Sequence, residues 1–160
     1  MRTVDVSGGF TLVELITVIV MIGVLAAVAG PRFFSAALFE DRFFFDDAMH
    51  AARYAREIAV AKGCYTRFNL STSQYQLQRD ADCNGSAFDF SVTLTRPEDS
   101  SESYQNADAP AGTVAFDLVF DPRGRAGSVS GSTFSVFATT QSITIGSDSF
   151  QVDGETGFGR

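Results

Sequence analysis

The stretch FTLVELITVIVMIGVLAAVA, Phe10 to Ala29, decides how the rest of the chain is read. All of its twenty residues are apolar or small except Thr11, Glu14 and Thr17. As a helix it would run about 30 Å, the depth of a bilayer core. A secretory signal peptide has a shorter apolar region, a basic start and a small-residue cleavage site behind that region. Here the preceding segment is MRTVDVSGG, with one Arg, one Asp and the pair Gly8-Gly9 directly ahead of the apolar run. A processing signal therefore sits before the apolar run, on the wrong side for ordinary signal peptidase. Glu14 is foreign to a plain anchor, because an ionised carboxylate in a bilayer costs about 2.5–3.5 kcal/mol. It either has a partner or snorkels at the membrane edge, one turn from the end of the run.

The remainder bounds the function classes. The chain has 160 residues, enough for one core and one membrane element but short of two ordinary domains. Twelve Lys and Arg stand against nineteen Asp and Glu, a net charge of -7, and nearly all the acids follow the apolar block. Such a surface repels phosphate backbones, so no nucleic-acid partner is expected. The lone histidine, His50, falls in an amphipathic helical pattern with no serine or cysteine motif beside it, so no catalysis and no cofactor are expected. Cys64 and Cys83 both lie beyond the apolar block, and export would carry them together into an oxidising compartment. A single disulfide, worth about 3 kcal/mol, is the natural reading. Two separately buried thiols are the alternative.

Gly30-Pro31 ends the apolar block, and Pro31 is expected to kink the helix without ending it. Phe34, Leu38, Phe45, Met49, Ala52, Ala55 and Ala59 then recur at helical spacing, with charged residues on other faces. The helix should continue to Lys62 and be capped by Gly63. The phenylalanines at 33, 34, 43, 44 and 45 read as packing surface rather than a ligand site. After Gly63 the period changes to short β-rich runs: 64–70, 75–79, 88–95, 113–120, 133–139, 142–145 and 150–152. The Ser-, Asp-, Glu- and Pro-rich stretch 96–112 lacks any period and is expected to be a mobile loop.

The residues Gly8-Gly9-Phe10-Thr11-Leu12-Val13-Glu14-Leu15 resemble the type III signal of type IV prepilins and type II secretion pseudopilins. The resemblance implies cleavage between Gly9 and Phe10 by a prepilin peptidase, N-methylation of Phe10 and loss of the leader. It gives Glu14 a role in subunit assembly, since the new α-amine of Phe10 would lie one helical turn away, on its own chain or a neighbour. It also implies the α+β type IV pilin fold: a long N-terminal helix, membrane half plus amphipathic half, packed on an antiparallel β-sheet domain. The parts would be a prepilin leader at 1–9, a transmembrane and polymerisation helix at 10–30, an amphipathic continuation at 31–62 and a periplasmic β-rich domain at 63–160. The order of helix, hairpin, acidic loop and then Phe120-Asp121-Pro122-Arg123-Gly124-Arg125 is similar to the branch of H-type secretion pseudopilins and FimT-like minor pilins. The apolar run and the two cysteines are most similar to minor pilins of the mannose-sensitive haemagglutinin type. Such a protein would be single-pass in the bacterial inner membrane, then part of a pilus or pseudopilus. Its partners would be other major and minor pilins or pseudopilins, the peptidase, the inner-membrane assembly platform and the lipid bilayer. It would help initiate or cap a pilus; a secretion pseudopilin is one alternative and a FimT-like DNA-binding minor pilin another.

Two further patterns are weaker. Asp80, Asp82 and Asn84, followed by Gly85, repeat the opening of a calcium loop, but Ser91 stands where the closing glutamate belongs, so a polar turn is expected and no metal. Arg123 and Arg125 flank Gly124 and could meet phosphates, yet two arginines on so acidic a chain read as a solvated turn.

Overall fold

The structure is a computed structural model that describes residues 11–85 and 87–160, apart from the side chains of 27–38. It divides into two compact units, Met1–Glu40 and Asp41–Arg160, and the helix α1 (Leu12–Lys62) contributes residues to both. The helix starts where the sequence supplies a cap. The Thr11 hydroxyl accepts the Glu14 backbone N–H at 3.2 Å, and Glu14 three residues on completes the Thr-x-x-Glu pattern that favours a helix start. At the other end Gly63 takes φ 65° and the Cys64 N–H reaches back to the Ala59 carbonyl at 3.2 Å, which satisfies one of the last carbonyls.

The expected pilin-type architecture with a membrane half is corrected here. Among the described residues no helix is long and apolar enough to cross a membrane. The expected single-pass placement in the inner membrane rested on that span and is corrected with it. What the structure carries instead is a mostly antiparallel β-sheet unit that includes the last turns of α1.

In that unit the helix buries Phe44, Ala48, Ala51, Ala52, Ala55 and Ala59. The run of alanines lets backbone approach backbone, and the Thr66 hydroxyl donates to the Ala55 carbonyl at 2.7 Å. The strands are β1 (Thr66–Leu70), β2 (Tyr75–Arg79), β3 (Val92–Thr93), β4 (Gln105–Asn106), β5 (Phe116–Phe120), β6 (Ala126–Ser130), β7 (Thr133–Val136), β8 (Gln141–Ile145) and β9 (Asp148–Val152). The main sheet runs β3-β2-β1-β5-β6-β7 with β4 also on β2, and β8 and β9 form a separate pair. Every pairing is antiparallel. Alternation puts Thr66, Phe68 and Leu70 of β1 inward, beside Tyr75 and Leu77 of β2 and Leu118 and Phe120 of β5. The β8-β9 pair adds Ile143, Ile145, Phe150 and Val152 to the same core, and the ring of Phe45 meets that of Phe150 edge-on at 6.0 Å.

Three segments depart from the sequence reading. Of the expected run 88–95 only Val92–Thr93 forms a strand. The strand β6 is formed by Ala-Gly-Ser-Val-Ser, a run without strong strand formers, because β5 and β7 offer it partners on both sides. The 96–112 stretch carries β4 and a buried Tyr104, whose ring lies tilted against that of Tyr54 at 5.5 Å, so it is anchored to the sheet rather than loose.

Candidate functional site

The sequence-derived sites fall in separate places. Gly9 and Phe10 lie outside the described residues. Glu14 sits in the first turn of α1, exposed, among Leu12, Val13, Leu15 and Ile16, which are exposed as well. The Thr17 hydroxyl turns back to the Val13 and Glu14 carbonyls at 3.1 and 2.9 Å, so it offers the surface little polarity. From Leu12 to Leu25 every large apolar side chain is exposed, down to 45% for the most covered, Val18. A helix apolar on all sides is a helix that belongs inside something larger. Pro31 falls within α1, and its side chain lies outside the described ones.

Cys64 and Cys83 form a disulfide that ties the end of α1 to the loop after β2. The Arg79 guanidinium lies against it, with Nη1 2.9 Å from Cys83 Sγ and 3.7 Å from Cys64 Sγ, and donates to the Asp80 carbonyl. Cys83 takes φ 56°, a left-handed conformation that an L-residue pays about 1–2 kcal/mol to adopt. The three oxygen-bearing residues beside it do not converge. Asp80 is buried and its Oδ1 accepts the Asp89 N–H at 2.9 Å, whereas Asp82 and Asn84 are exposed and hydrogen bond to each other at 3.4 Å. Among the described residues no group of three or more His, Cys, Asp or Glu is placed to hold a metal ion.

The strongest polar cluster was not legible in the sequence. Asp47 of α1 accepts from the Tyr75 hydroxyl, from both Arg96 terminal nitrogens at 3.1 Å and from the Asn106 amide at 3.4 Å. Burial by itself would raise the Asp47 carboxyl, but the Arg96 and Tyr75 hydrogen bonds outweigh it and hold the group below the usual carboxylate range. The same burial and the same anion push the Tyr75 hydroxyl up. Burial and the Asp47 charge push Tyr104 up to about 12, and the Arg96 guanidinium lies 4.7 Å over its ring. Helix, hairpin and acidic segment thus meet on one carboxylate. Its saturated donors leave it structural rather than chemical.

A second set of arginines holds the end of the chain. Arg56 Nε donates to the Gly124 and Thr156 carbonyls at 3.2 and 2.8 Å, and Arg53 Nη2 to the Gly159 carbonyl at 3.1 Å. Gly157 takes φ 61°, and a Cβ there would come within 2.0 Å of the Gly124 carbonyl oxygen. Of the two arginines flanking Gly124, Arg125 is spent on the buried Asp121 carboxylate, at 2.7 Å, and Arg123 is exposed. One exposed cation in that turn is a poor surface for a phosphate chain. No family model matches this chain, and no curated protein or solved structure does so either.

Proposed function

We propose that the chain is a minor pilin-like subunit of the mannose-sensitive haemagglutinin type, cut between Gly9 and Phe10 and built into a filament through the apolar part of α1. It would serve there to initiate or cap assembly. The observation that carries the reading is the exposure of every large apolar side chain from Leu12 to Leu25 around a single acidic one, Glu14. Exposed apolar surface of that extent marks an interaction site, and packing against like helices covers it. Inside such a bundle the Glu14 carboxylate requires a cation, because an unpaired buried charge costs several kcal/mol. Cleavage after Gly9 creates one, the α-amine of Phe10, four residues away.

The test separates processing from assembly. Replacing Glu14 by Ala leaves the Gly9 cleavage intact, read as the size of the mature chain by mass spectrometry, and abolishes recovery of the chain in sheared filaments. Unchanged recovery would remove Glu14 from assembly. A deletion strain that keeps its pili but traps secreted proteins would move the chain from pilus to secretion machinery.

A further inference from the structure

The chain contains the tripeptide Asn-x-Ser twice, at Asn69-Leu70-Ser71 and at Asn84-Gly85-Ser86. This is the acceptor pattern for sugar transfer to an asparagine amide, and it marks a surface loop in a protein that reaches an oxidising compartment. The fold treats the two asparagines differently. Asn69 lies in β1, the strand between β2 and β5, paired across to Gln76 and Asp117. Its amide donates to Asp117 Oδ1 at 3.4 Å, and strands on both sides hold its backbone in the sheet. Asn84 lies in the connection from β2 to β3, outside every strand, and is exposed. Its Nδ2 donates to the exposed Asp82 carboxylate at 3.4 Å. Gly85 after it takes φ 66°, so the chain turns sharply at the acceptor and presents it on a corner.

A second, independent feature lies beside that corner. The Tyr65 ring sits under Gly85, so near that a Cβ there would lie 2.9 Å from Cε2. The row continues from Tyr65 to Phe88 at 4.9 Å and from Phe88 to Phe90 at 6.1 Å with the rings nearly parallel, and Arg67 lies over Phe90 at 5.4 Å. Phe88 and Phe90 are half-buried, so each keeps part of its aromatic carbon at the surface near the acceptor's turn. The C–H face of a pyranose packs on such carbon, while its hydroxyls stay in water.

We propose that Asn84 is an N-glycosylation site, with the first sugars lying along Tyr65, Phe88 and Phe90. The co-substrate is a glycosyl donor whose anomeric carbon bears a phosphate leaving group. Asn84 Nδ2 forms the bond to that carbon, the anomeric C–O bond breaks, the carrier phosphate departs with the electron pair, and the transferase takes one amide proton. This assignment is independent of the filament role. The full-length protein is purified from its own cells, reduced and digested, and the peptide carrying Asn84 is sequenced by mass spectrometry. The expected result is a hexose or N-acetylhexosamine series on Asn84 and none on Asn69. Asn84→Gln and Ser86→Ala each lose the added mass, and Asn69→Gln keeps it. A bare Asn84, a deamidated one, or a sugar that survives Asn84→Gln on a neighbouring serine would overturn the proposal.

Discussion

Asp47 concentrates the polar energetics of the β-rich unit in one side chain. It is 11% exposed and faces Arg96 at 21%, so the pair is screened little by solvent. Because its folded carboxyl is held below the unfolded value, its contribution is present at neutral pH, above about 4, and is lost as the pH falls through the folded value. Asp47→Asn leaves Arg96 with only the exposed Glu102 carboxylate, 3.6 Å away, and should cost about 3 kcal/mol at pH 7. In urea unfolding followed across pH, the gap between Asp47→Asn and the parent should narrow below pH about 4. A gap that stays constant with pH would place the loss in packing instead of charge. No reading of the sequence could have found this cluster, since Tyr75, Arg96 and Asn106 lie 28, 49 and 59 residues from Asp47 and meet it only once the sheet has formed. The Gly63 stop was legible because capping is local.

At the scale of elements, the same distinction explains which strands the sequence revealed. The β1-β2 hairpin has alternating Phe68, Leu70, Tyr75 and Leu77 around the turn Ser71-Thr72-Ser73, so period and turn chemistry agree. Ser71 supports that turn by accepting from the Gln74 N–H at 3.1 Å. The strand β6 and the short β4 carry no such pattern and exist through their neighbours. The expectation of a membrane half also belongs to this level, and among the described residues no helix is long and apolar enough to cross a membrane. The disulfide bounds the hairpin at its open end. It links residues 19 apart, and removing a closed loop of that length by Cys83→Ser should lower stability by about 3 kcal/mol, read as a shift of the urea midpoint.

For the whole molecule the division at Glu40 and Asp41 separates surface that is satisfied from surface that is not. Every buried apolar residue of the core, from Phe44 to Val152, belongs to the second unit. The helical residues after Asp41 are therefore held by the sheet, since most helical stability in proteins comes from packing an apolar face. The first unit has no buried apolar side chain among its described residues. A chain starting at Asp41 should consequently keep one cooperative unfolding transition and run as a monomer in size-exclusion chromatography with light scattering. The full chain, with Leu12 to Leu25 exposed, should associate under the same detergent-free conditions. Substituting Ile16, Ile19 and Ile22 together by Ser should then return the full chain toward the monomer without moving its unfolding midpoint. Association that persists in the truncated chain would relocate the contact to the β-rich unit, where the exposed Phe43, Val60, Val114 and Phe158 are the large apolar groups left to make it. Loss of the transition on truncation would mean that the core depends on residues before Asp41, against the placement of every one of its members.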